Sequence, residues 1–183
     1  SILKRCIRAR LHLINVAPHL GSAAMYTDFR EDPNCLSNGV PTMATDGVYI
    51  YYHPDYLTGG ALDGASPDDD ILATVAHETY HNLLLHTHPS RQGKPGERDH
   101  MLLNYACDYA VNAILVEEGF KIGKNWLYKK EWTELCAEEI YEILLKEKQK
   151  SIQKLMKMIG DGKLADKHIP FGGPSQGSGN EQK

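Results

Sequence analysis

No run of about eighteen consecutive apolar residues occurs in the sequence, so a membrane-spanning helix is not expected. The first residues, Ser1-Ile2-Leu3-Lys4-Arg5-Cys6-Ile7-Arg8, mix charges among apolar residues, whereas a signal peptide sets its charges ahead of an apolar run. Cysteine is sparse: Cys6, Cys35, Cys107 and Cys136 are widely separated and form no C-x-x-C. That spacing argues against a disulfide framework or a cysteine zinc site, and it suits reduced thiols in a cytoplasmic protein. Lysine and arginine never form a run and the formal net charge is -4, so nothing drives the chain toward nucleic acid. Internal repeats are also missing. What is present, 183 residues of which 42% are hydrophobic, suffices for one core. One domain is expected over residues 1–160, followed over 161–183 by a polar, glycine-rich disordered tail or linker.

In chain order, Leu3 to Val16 reads as a helix with Leu3, Cys6, Ile7, Leu11 and Ile14 on one face, ended by Pro18. Gly21 to Phe29 alternates like a strand, and Arg30 to Val40 is rich in turn residues. Met43–Thr45 and Val48–Tyr52 flank Asp46-Gly47, which predicts a hairpin with a type I′ turn. Pro54 ends that strand, and residues 57–66 read as a loop. Ser66-Pro67-Asp68-Asp69-Asp70 is a strong helix start, with a serine cap, proline at the first position and aspartates at the positive end of the dipole. A second helix is expected from about Glu97 to Glu118, closed by Gly119, with Met101, Asn104, Asp108, Val111 and Leu115 inward. Residues 123–128 read as an irregular cover. Ala137 to Ile159 reads as a long helix with Ile140, Ile143, Leu144, Ile152, Leu155 and Ile159 inward, weakly capped by Cys136 ahead of Glu139.

The chemistry concentrates in His77-Glu78-Thr79-Tyr80-His81. Histidines four apart on a helix share a face and can reach one tetrahedral cation, with Glu78 beside them as a general base. A catalytic zinc takes three protein ligands, so one more is needed. Asp108 is favoured. In an antiparallel pair of helices turning near Pro89, it arrives level with the two histidines, at about 1.5 Å of rise per residue. His86, His88, Asp99 and His100 are rivals. The metzincin pattern is excluded, because its third histidine would fall on Thr87. Tyr105, Tyr109, His86, His88, His100 and Arg91 are candidate oxyanion donors or substrate contacts. Asn112, one turn beyond Asp108, is placed to support a ligand.

Together, Thr45-Asp46-Gly47, Tyr51-Tyr52-His53-Pro54, the H-E-x-x-H and Tyr105-Ala106-Cys107-Asp108-Tyr109-Ala110-Val111-Asn112 resemble a metallopeptidase family often associated with von Willebrand factor A-like domains. Ala137-Glu138-Glu139-Ile140-Tyr141 is similar to it as well. The resemblance implies a zincin-like α+β fold, with a small, mostly antiparallel sheet packed against the H-E-x-x-H helix and further helices. It carries over His77, His81 and Asp108 as ligands of one Zn2+ per chain and Glu78 as general base. No D-x-S-x-S motif follows, which suggests a stand-alone form, such as one from a phage or mobile element, or part of a longer protein. The expected function is peptide-bond hydrolysis by a zinc-activated water with Glu78 as base, on a polypeptide substrate and without nucleic-acid or membrane partners. A protein partner is conceivable at the C-terminal helix. The alternatives are a non-catalytic zinc-binding module and a zinc hydrolase of non-peptide amides or esters.

Overall fold

The computed structural model describes residues 1–56, 67–123 and 125–160. The loop expected over 57–66, its Ser66 cap, Lys124 and the tail from 161 lie outside the described residues. Helices α1 (Ile2–Val16) and α2 (Pro18–Ala24) come first, then strand β1 (Asp28–Glu31). A ribbon of β2 (Leu36–Ser37) and β3 (Val40–Pro41) and the hairpin of β4 (Met43–Thr45) and β5 (Tyr49–Tyr52) follow. The rest is helical: α3 (Pro67–Leu83), the short α4 (Pro89–Gln92), α5 (His100–Glu117) and α6 (Ala137–Gly160), with a 3-10 turn at Lys130–Trp132 before the last.

Proline punctuates this order at Pro18, Pro67 and Pro89, each the first residue of a helix, where its missing N–H is not needed. Pro18 therefore ends α1 and at once starts another helix. The strand expected over Gly21 to Phe29 is helical up to Ala24, and only Asp28 onward is extended. A second difference lies in α1, whose buried stripe is Cys6, Ala9 and Leu13. Leu3, Leu11 and Ile14 face outward instead. α2 lies very close to the end of α1: a Cβ on Gly21 would sit 2.4 Å from the Ile14 backbone nitrogen.

The main sheet has the order β1-β5-β4 and is mixed, with β1 parallel to β5 and β4 antiparallel to it. Its register places Phe29 beside Ile50 and Met43 beside Tyr52. Only Gly47 has positive φ in the β4–β5 turn, which excludes type I′, since that turn needs positive φ at both central residues. Asp46 Oδ1 closes the turn instead by accepting from the Val48 and Tyr49 amides, each at 2.8 Å. The double positive φ occurs at Asn38 and Gly39, which join β2 to β3 within the stretch read only as turn-rich.

α3 is the spine of residues 1–145. Ile71, Val75, Ala76 and Tyr80 on it share one core with Cys6 and Leu13 of α1, Leu20 of α2, Met43, Ile50 and Tyr52 of the sheet, and Val111 and Leu115 of α5. A second cluster joins Leu103, Ala106 and Ala110 of α5 to Trp132, Ile140 and Tyr141. Met101 and Asn104, expected inward, are exposed. α5 closes with a Schellman motif: Gly119 at φ 85, its N–H on Val116 O, and the Phe120 N–H on Leu115 O. The start of α6 has half a capping box, with Glu139 accepting from the Cys136 amide at 2.9 Å. Residues from Lys146 form a unit of their own, the later turns of α6, where Ile152 is exposed rather than inward. No described helix is long and apolar enough to cross a membrane.

Because the Gly21 contact is backbone against backbone, Gly21→Ala is expected to cost about 2–3 kcal/mol, the upper range for overpacking. A urea midpoint unchanged from that of the parent chain would show that α1 and α2 can separate freely.

Candidate metal centre

His77 and His81 stand one turn apart in the C-terminal half of α3, and Asp108 faces them from α5. Helix geometry sets the level of the three residues, but not the contact between the two helices. That contact follows from packing Val75 and Ala76 of α3 and Val111 of α5 in the same core. The two Nε2 atoms lie 2.9 Å apart, and Asp108 Oδ1 is 3.6 Å from His77 Nε2 and 3.3 Å from His81 Nε2. Three donors on a tetrahedral ion with bonds of about 2.0 Å would be about 3.3 Å apart. The triangle thus fits one such cation, and this is the one cluster of its kind among the described residues.

The outer nitrogens are held as well. His77 Nδ1 is 2.9 Å from Asn112 Oδ1, and the Asn112 amide in turn donates to Leu127 O at 3.0 Å. His81 Nδ1 is 3.1 Å from His86 Nδ1. Trp126 packs edge-on against His77, with ring centroids 5.2 Å apart. Sequence reasoning treated Trp126 and Leu127 only as cover, since residues 123–128 have no period to read.

Charge is arranged around the same point. Burial opposes a positive His77, but the Asp108 hydrogen bond and the charges of Glu78 and Asp108 outweigh it and raise its pKa. Burial raises the Glu78 carboxyl above its ordinary range, although His77 and His81 pull it down. For Asp108 burial also pushes upward, yet its hydrogen bonds to His77 and His81 hold it well below the usual carboxylate range. Burial, with His81 and Arg91 nearby, lowers His86 to about 3, so this imidazole is neutral.

A cleft of about 640 Å³ opens onto the centre. It is lined by Thr42 to Thr45 on and beside β4, Leu36 and Val40 of the ribbon, Asn104 and Tyr105 of α5, and Trp126. Of the candidate contacts, Tyr105 and His86 line this cleft. The others are engaged elsewhere. Tyr109 packs against Trp132, and His88 accepts from Ser90 N to cap α4. His100 lies 3.3 Å from Gln92, and Arg91 pairs with Glu138 while donating to Leu84 O. Asp99 caps α5 by accepting from the Leu102 amide. Gln92, which was not singled out, donates to His86 O.

A divalent cation must displace the proton that Asp108 and Glu78 favour on His77. Because that pKa is raised, cation affinity is expected to fall by at least about tenfold per pH unit as the solution is made acidic through the imidazole range. Titration calorimetry across this range checks the slope; a flat affinity would show that no proton is released.

No curated protein and no solved structure matches the chain. A family model described as "putative metallopeptidase domain" matches residues 2–182. Nearly the whole chain, including its histidine pair, Glu78 and Asp108, falls within that match, and the chain belongs to this metallopeptidase family.

Proposed function

We propose that the chain is a zinc-dependent metallopeptidase that cleaves polypeptides. The observation that carries this reading is Glu78: a carboxylate that is 7% exposed, between two histidines that converge with Asp108 at the floor of an open cleft. Burying a carboxylate is costly, and a purely structural metal site gains nothing from one at that position. A hydrolase needs it.

Two imidazoles and one carboxylate are the donor set of a catalytic zinc with an open coordination position. When bound, zinc supplies Lewis acidity, which polarises a substrate carbonyl and lowers the pKa of water. Glu78 takes the proton of the attacking water, and its raised pKa favours holding that proton until the leaving amine receives it. Tyr105 lies three residues before Asp108, on the same side of α5, and is half-exposed in the cleft. With Tyr109, His88, His100 and Arg91 engaged elsewhere, its hydroxyl is our choice for the donor to the developing oxyanion.

Peptide is favoured over a small amide or ester by β4. It is an edge strand of its sheet among the described residues and borders the cleft, a geometry that suits an extended chain added as a further strand. The four free cysteines support a reducing, cytoplasmic setting. The exposed Ile152 and Met156 on the lysine-rich turns of α6 are our choice for any contact with a protein partner.

Glu78→Gln is expected to keep zinc and lose at least about 100-fold in kcat on a peptide library. Equal cleavage by both forms would remove this mechanism, and zinc binding without cleavage by either would favour the binding-module reading. Tyr105→Phe is expected to lower kcat about 100-fold with KM little changed. An unaltered kcat would exclude Tyr105 as the oxyanion donor.

A further inference from the structure

We propose that His86 is a positioning residue for the metal centre, whose imidazole accepts a hydrogen bond from His81 Nδ1–H and so fixes the tautomer and ring plane of that ligand. The proposal rests on the metal centre itself and not on what the protein cleaves.

His86 reaches His81 by an unusual route. A continued α3 would carry it to the far side, five residues beyond His81. Instead α3 ends in a Schellman motif, with the Leu85 N–H on Asn82 O at 3.1 Å and the His86 N–H on His81 O at 2.9 Å. The reversal requires a left-handed residue, normally glycine, yet Leu85 occupies it at φ 55. The backbone thus doubles back, and the His86 ring lies edge-on to that of His81 with centroids 5.0 Å apart. The segment is clamped on both sides of His86, because Arg91 donates to Leu84 O and Gln92 to His86 O. His86 is 3% exposed.

The two Nδ1 atoms are 3.1 Å apart, so one must donate and the other accept. Geometry decides which. The other nitrogen of His81, Nε2, points at His77 Nε2 and Asp108 Oδ1, the atoms that would hold the cation, and to join them as a ligand it must present a lone pair. The proton of a neutral His81 is therefore on Nδ1, and His86 Nδ1 is the acceptor. This side of His86 faces the rear of His81, away from the cation, which excludes Nδ1 as a ligand. Asn112 Oδ1 makes the equivalent contact to His77 Nδ1 at 2.9 Å. Both ligand imidazoles are thus supported from behind by neutral acceptors, one amide and one imidazole. A carboxylate in either place would add negative charge to a centre that already has Asp108 and would weaken the cation as a Lewis acid.

The test measures Zn2+ binding to the full chain by competition with a chromophoric chelator, using His86→Leu and His86→Asn. Asparagine can set Oδ1 where the histidine Nδ1 stood, so it retains the acceptor, whereas leucine does not. His86→Leu is expected to bind Zn2+ about 10- to 100-fold more weakly, and His86→Asn to stay within about threefold of the parent chain. Equal losses in both variants, or no loss in His86→Leu, would overturn the proposal. If leucine prevents folding, the parent protein decides alone: with Zn2+ bound, imidazole 15N spectra are expected to place the His81 proton on Nδ1, with a coupling across the hydrogen bond to His86 Nδ1. A proton on His86 Nδ1 instead would refute it. Absence of peptide cleavage by the Zn2+-loaded parent chain would overturn the peptidase reading and leave this one standing.

Discussion

A pair of histidines one helical turn apart binds a cation only when both rings turn the same nitrogen inward and are kept there. Most of the described structure serves that constraint. α3 is packed against α1, α2, the sheet and α5, so the helix axis cannot roll. Asn112 and His86 then hold the rear of each ring, and Asp108 completes the triangle. The hairpin is tied to the same helix: the Thr45 hydroxyl lies 2.8 Å from Asn82 Oδ1, one residue after His81.

Some of this was legible in the residues alone. The histidine spacing, the Pro67 start, the Gly119 stop and the level of Asp108 all follow from helix geometry, which depends on local rules. The α+β class is as expected, although the sheet is mixed because β1 joins β5 in parallel, a pairing between segments about twenty residues apart that no local pattern announces. The strand expected at Gly21 failed because Pro18 acts at both ends, stopping one helix and starting the next. The type I′ turn belongs to Asn38-Gly39, while Asp46 spends its side chain on the amides of its own turn. His86 would fall on the far side of a continued α3, and only the reversal at Leu85 brings it behind His81. The signal for a Schellman reversal is glycine, and Leu85 gives none.

The cleft combines unlike materials. Its floor concentrates ionisable groups whose charges are mutually dependent, since the same contacts that lower Asp108 raise His77. The rest of its lining is largely uncharged, with residues 42–45 on and beside β4, Asn104, Tyr105 and Trp126 among it. The ionisable groups of the centre are thus ringed by a lining that carries little charge of its own.

Cys107 lines the cleft next to Asp108 in sequence, and Cys35 is near enough to Glu78 to feel its charge. Burial first, and neighbouring carboxylates second, push these thiols up to about 12 and about 11. Thiolate is the form that captures soft metal ions and reacts with peroxide, and neither cysteine offers it near neutral pH. Neither cysteine belongs to the His77, His81 and Asp108 cluster, and with both thiols protonated near neutral pH mild oxidants have little thiolate to attack beside it.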